Sequence, residues 1–148
     1  MKKTVSWIVV ADHQHARAYA HDGAGQGIKP VEGWEFATRL ERTHDMVSDR
    51  PGRKSGVGGN PVAVPQHSDP NREAGKRFMK DIAGAIAKAA QDKAFDRLVL
   101  AAPPRALGEL RQALPAAIRK MVIAELDEDL TKETLPALAA RLGKVLPV

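Results

Sequence analysis

The sequence predicts a mixed α/β domain: an N-terminal antiparallel meander and a C-terminal parallel strand–helix–strand crossover sharing one β-sheet, with helices packed on it. Three observations predict it. Apolar, β-rich residues gather in short runs before position 40 and again near 98–100 and 121–126. Between the later runs the apolar period lengthens to three or four residues, the mark of amphipathic helices. Glycine, proline and polar clusters punctuate the changes of period. With 148 residues, 43% of them hydrophobic and 28% charged, the chain reads as one globular domain over 1–148 with an ordinary core.

Val5–Ala11 is the first strand, because Val5, Trp7, Ile8, Val9 and Val10 form a nearly continuous run of strand-favouring residues. Lys2 and Lys3 before it imitate a secretory signal, but Asp12 and His13 end the run early and no small-residue cleavage pattern follows. Asp12–His15 is polar and turn-like. Ala16–His21 returns as a second strand through Ala18 and Tyr19. Gly23, Gly25, Gly27 and Pro30 break the chain, and a third strand alternates through Trp34, Phe36 and Thr38 toward Leu40.

From Arg50 to Pro70, eight of 21 residues are Gly or Pro. A loop of that length inside a compact domain is either functional or unordered, and the sequence marks 45–69 as a flexible, basic, Gly/Pro-rich loop. Asp69 and Pro70 then open a helix, an N-cap carboxylate followed by proline at the first helical position. Its apolar stripe is Ala74, Phe78, Ile82, Ala85, Ile86 and Ala89, with Arg72, Lys76, Arg77 and Lys80 beside or opposite. Arg97–Ala102 is a short buried strand ended by Pro103 and Pro104. A helix over 105–119 follows, with a break at Pro115. Met121–Leu126 is the next strand and Thr131–Leu142 the last helix. The unit from Arg97 to Leu126 should be a right-handed parallel crossover. Leu98, Val99, Leu100, Val122 and Ile123 are expected in the buried centre of the sheet.

The charge is uneven. Lys and Arg exceed Asp and Glu by nine to five between Arg39 and Lys80, whereas Met121–Val148 holds five acids and three bases. Such asymmetry suits a polyanionic partner for the middle segment; a solvated basic surface is the plain alternative. No apolar run is long enough to span a bilayer, so no membrane partner is expected and the cytoplasm is the expected location. The sequence is neutral on oligomeric state.

The absence of cysteine excludes disulfide scaffolds, thiolate metal sites and thiol catalysis. His13 and His15 lie near Asp12, with His21 further on, but their spacing matches no metalloprotease pattern. No metal and no cofactor are expected. Gly52, Gly56, Gly58 and Gly59 match neither a P-loop nor a dinucleotide fingerprint. What stands out is the segment from Arg50 to Asn60, where glycines sit among cations just upstream of a basic helix. Arg53, Lys54, Arg72 and Lys76 are candidate phosphate contacts, with Gly58 and Gly59 freeing the backbone to follow a nucleic-acid strand. A mobile surface loop without a ligand is the competing reading.

Four motifs carry a resemblance. Trp7–Asp12 with Ala16-Arg17, Ser48–Gly52, Phe95–Pro104 with Leu107-Gly108, and Glu128–Thr131 occur in an order that resembles the bacterial host-attachment family, whose members are described as required for attachment to host cells. That family is in turn similar to the central domain of archaeal and eukaryotic class I peptide-chain release factors. The resemblance implies a mixed α/β sheet domain. In those factors a mobile loop carries Gly-Gly-Gln and promotes hydrolysis of peptidyl-tRNA. Gly58, Gly59 and Asn60 occupy the corresponding place, and Asn60 stands where glutamine would be. Its amide falls short by about 1 Å, a misplacement that can cost around 100-fold in rate.

The resemblance also places Asp12, Arg17 and Asp129 in family motifs. Asp12 is expected to hold the turn after the first strand through backbone hydrogen bonds, and Asp129 to start or cap the last helix. The leading expectation is a cytoplasmic RNA- or ribosome-interacting domain that meets ribosome or tRNA through its basic loop. A ribosome-dependent peptidyl-tRNA hydrolase using Asn60 is the enzymatic alternative. A protein-interaction component of an adhesion pathway, without RNA binding, is the other.

Overall fold

The computed structural model describes residues 4–23, 25, 27–38 and 70–145. Strand β1 (Ser6–Ala11), β2 (His15–His21) and β3 (Lys29–Ala37) form the meander. Helix α1 (Pro70–Gln91) leads to β4 (Arg97–Ala101), α2 (Pro104–Ala113), α3 (Ala116–Arg119), β5 (Val122–Leu126) and α4 (Leu135–Leu142). All five strands share one sheet in the order β3-β2-β1-β4-β5. β1 runs antiparallel to β2, with Ala11 opposite Ala16, and β2 antiparallel to β3. β1 and β4 are parallel, as are β4 and β5. This is the mixed sheet of meander and crossover that the apolar periods predict.

The core explains the pattern of β1. Its six residues are all buried because both faces of the sheet are covered. Trp7, Val9 and Ala11 look toward α1 and α2, joining Leu98, Leu100, Phe78, Met79, Ile82, Ile86, Leu107 and Leu110. Ile8 and Val10 face the other way, against Val99, Ala101, Leu130, Leu138 and Leu142. Two helices therefore cover one face, and α4 covers part of the other. Trp7 also meets Trp34 edge-on at 5.8 Å and Phe95 at 5.2 Å, closing one end of the first cluster.

Three details differ from the sequence reading. Ile123 is 45% exposed and Val122 only half-buried, because β5 is the edge strand and its register with β4 slips there. Leu98 pairs with Val122 and Val99 with Ala124, which leaves Ile123 as an inserted residue. Pro30 lies inside β3 rather than breaking the chain, as an edge strand permits. β3 accommodates this by bulging between the Arg17–Glu35 and Tyr19–Pro30 pairs, with Gly33 at φ 79° within the bulge. Pro115 does separate two helices, α2 and α3. The last helix begins at Leu135 rather than Thr131, capped by the Thr134 hydroxyl accepting from the Ala137 N–H at 3.3 Å.

Candidate functional site

Three parallel strands, β1, β4 and β5, end on the same side of the sheet, the side where open α/β sheets place their ligand crevices. Asp12 follows β1 directly. Its Oδ1 accepts the N–H groups of Gln14 and His15, both at 2.7 Å, and so fixes the turn into β2. The Thr38 N–H, just past β3, donates to the Gln14 carbonyl at 2.8 Å. The meander thus comes back to the same end, one residue before the segment that precedes α1.

Asp12, Arg17 and Asp129 converge on Thr131. Asp129 Oδ1 accepts both the Thr131 N–H, at 3.0 Å, and the Thr131 hydroxyl, at 2.6 Å. The same hydroxyl lies 3.3 Å from Asp12 Oδ2. Having one proton, it donates to one carboxylate at a time, and the shorter contact is to Asp129. The Arg17 guanidinium donates to the Thr131 carbonyl. Thr131 is only 4% exposed, so these bonds satisfy a polar residue taken out of water. Asp129 therefore closes a turn around Thr131 and leaves the cap of α4 to Thr134.

His13 points elsewhere. Its Nε2 lies 2.7 Å from Glu109 Oε1 of α2, and its ring fills the space over Gly75 of α1. A Cβ at Gly75 would come within 2.9 Å of the ring. His15 Nδ1 is 3.5 Å from Asp12 Oδ1. The two histidines thus diverge to different carboxylates, and among the described residues no group of three His, Asp or Glu side chains could hold a metal.

Of the six residues singled out for nucleic-acid contact, Arg72 and Lys76 are described; both are exposed on the first turns of α1. Lys80 continues their row at the same four-residue spacing, and Arg77 lies alongside; both are exposed. None of these four cations forms an ion pair among the described residues. Arg53, Lys54, Gly58 and Gly59, the candidate catalytic Asn60 and the 45–69 loop all lie outside the described residues.

The sequence reading passed over a cleft of about 560 Å³ on the face opposite α1. It is lined by His15, Arg17, Glu35, Phe36, Ala37, Thr131 and Lys132. Arg17 and Thr131 are its residues within the motifs already marked. The others come from β2, β3 and the turn after β5, and no sequence spacing links these elements. A smaller groove of about 360 Å³ runs along β5 beside Arg111 and Glu125. There Arg111 grips Glu125 with two hydrogen bonds, at 3.0 and 2.6 Å. Those bonds, with the attraction of opposite charges, hold the Glu125 carboxyl below its ordinary range against the opposing effect of burial.

Two archaeal structures are similar to this chain. One is the archaeal translation termination factor aRF1, at 12% identity and a TM-score of 0.44, covering 93% of this chain. The other is described only as an archaeal protein, at 12% identity, a TM-score of 0.45 and the same coverage. This chain spans 37% and 36% of their respective lengths. Likeness at that level carries no functional argument. No curated protein matches the chain significantly. The model of the family described as "protein required for attachment to host cells" matches residues 7–142, which take in the Asp12 turn, Arg17, the cation row of α1 and the Asp129–Thr131 turn. The chain belongs to that host-attachment family.

Proposed function

We propose that this host-attachment protein is a cytoplasmic RNA- or ribosome-interacting domain that grips phosphates with the exposed cation row of α1. The observation that carries the reading is the row itself: Arg72, Lys76 and Lys80, exposed and without ion pairs among the described residues. At a rise of 1.5 Å per residue the row extends over about 12 Å, with one cation per helical turn. Structural cations usually find carboxylates, as Arg105, Arg111 and Arg141 do with Glu109, Glu125 and Glu128. The α1 row forms no ion pair among the described residues, and although Glu73 and Asp81 lie on the same helix, its cations outnumber them. The partial positive charge at the helix N-terminus adds to that excess. Arg53 and Lys54, upstream in the sequence, supply further contacts to the same backbone. On this reading the attachment phenotype is indirect, arising from translation or RNA handling.

Co-sedimentation with ribosomes at low salt tests it. Wild-type protein should pellet with ribosomes, and Arg72→Ala/Lys76→Ala/Lys80→Ala should stay in the supernatant. Equal pelleting of both, or of neither, contradicts the reading and favours a protein-interaction role in adhesion. Peptide release from peptidyl-tRNA by the same preparation would instead support the hydrolase reading, with Asn60→Gln raising the rate.

A further inference from the structure

We propose that the cleft between the β2–β3 face and the Thr131–Lys132 turn binds a phosphorylated ribose, with the phosphate on Arg17 and Lys132 and the sugar hydroxyls on Glu35. Residues His15, Arg17, Glu35 and Ala37 are register partners and share one face of the sheet. This is the face against which α4 packs, but the α4 cluster centres on β1 and β4. The β2–β3 portion at this end stays open as the 560 Å³ cleft.

The state of Arg17 is the main argument. A guanidinium has five N–H donors. Arg17, half-buried, gives one bond to the Thr131 carbonyl and forms no other bond among the described residues. Glu35 sits directly across the strand pair, yet the two form no ion pair. The guanidinium is therefore anchored at one end and keeps donors for a ligand, which is how a fork for phosphate or carboxylate is prepared. Lys132 follows Thr131, whose position the Asp129, Asp12 and Arg17 contacts fix. It is exposed and without an ion pair among the described residues.

Two such cations facing one carboxylate favour an anion. A bare phosphate would leave most of the volume empty, because clefts of this size take small organic molecules. Glu35, an acceptor only, would repel a second anionic group and calls for hydroxyl donors instead. An ionised carboxylate accepts hydrogen bonds from ribose hydroxyls, as acidic side chains do in dinucleotide-binding folds. A ribose phosphate joins an anion to vicinal hydroxyls, as a free nucleoside 5′-phosphate does; the 5′-phosphorylated end of an RNA keeps the phosphate and the 2′-hydroxyl but has its 3′-oxygen esterified. The cleft lies on the other face of the sheet from α1, so this inference does not depend on the cation row.

Amide chemical-shift titration of the full chain tests it, with ribose 5-phosphate, inorganic phosphate, ribose and a short 5′-phosphorylated RNA as probes. Ribose 5-phosphate should shift His15, Arg17, Glu35, Ala37, Thr131 and Lys132, and bind more tightly than phosphate or ribose. Lys132→Ala should weaken it about 10-fold, the usual order for losing one charge-assisted hydrogen bond. Glu35→Gln should weaken ribose 5-phosphate without weakening inorganic phosphate. Both side chains are exposed, so neither variant endangers the fold. The probe bound more tightly, ribose 5-phosphate or the RNA end, identifies the source. Arg72→Ala/Lys76→Ala/Lys80→Ala should bind ribose 5-phosphate as the wild type does, even if it no longer binds ribosomes. Absence of shifts in the cleft at about 10 mM probe, or unchanged affinity in Lys132→Ala, overturns the proposal.

Discussion

The Thr131 hydroxyl donates to Asp129, after β5, and lies 3.3 Å from Asp12, after β1, a carboxylate more than a hundred residues away in sequence. Replacing it with the near-isosteric valine removes the donor while leaving both acceptors in place. Thr131→Val should therefore destabilise the protein by about 1.5–3 kcal/mol, the range for hydrogen bonds to charged groups; urea unfolding measures it. Gly75 sets two effects in opposition. Alanine would gain about 1 kcal/mol of helix propensity, but its Cβ would press on Cβ, Cγ and Cδ2 of His13, which are near the ring's root and cannot swing aside. Overpacking costs about 1–3 kcal/mol, so Gly75→Ala should be destabilising on balance and should disturb the His13 resonances. A gain in stability would contradict the packing described. At this scale Asp12 was legible, since an aspartate after a strand habitually holds the turn. Thr131 and Glu35 were not, because their roles depend on contacts between distant segments that no local pattern encodes.

At the scale of elements, the strands and helices were readable wherever one face is buried. β1 is an unbroken apolar run because both its faces are covered, and α1 carries its stripe because a single face packs on the sheet. β5 misled for the same reason that β1 did not. Its apolar residues suggested a central strand, yet it lies at the edge, and Ile123 is the residue inserted by the register slip. The start of α4 was misplaced because Asp129 and Thr131 bond to each other, so the helix waits for Thr134. The Arg111–Glu125 pair, which ties α2 to β5, yields a pH prediction. The folded carboxyl lies below its unfolded value of about 4.3, so the pair contributes stability above that pH and loses it as pH falls through the folded value. Arg111 is 47% exposed, so solvent screening keeps the contribution under about 1 kcal/mol. Glu125→Gln should flatten the stability–pH curve below about pH 5 by that amount, read from urea midpoints; an unchanged curve would mean the pair contributes nothing.

On the scale of the whole molecule, one sheet carries a core on both faces, the chain belongs to the host-attachment family, and four of the nine cations of the basic middle segment lie on α1. The proposed function rests on that charge meeting a nucleic-acid backbone. Its most direct test is the salt dependence of tRNA binding, compared between wild type and Arg72→Ala/Lys76→Ala/Lys80→Ala. Each phosphate contact contributes about 0.7–0.9 to the slope of log affinity against log salt. The wild type should bind at low salt with a steep negative slope, and the variant should be shallower by about 2–3. Identical slopes, or no binding by the wild type at low salt, would contradict the account.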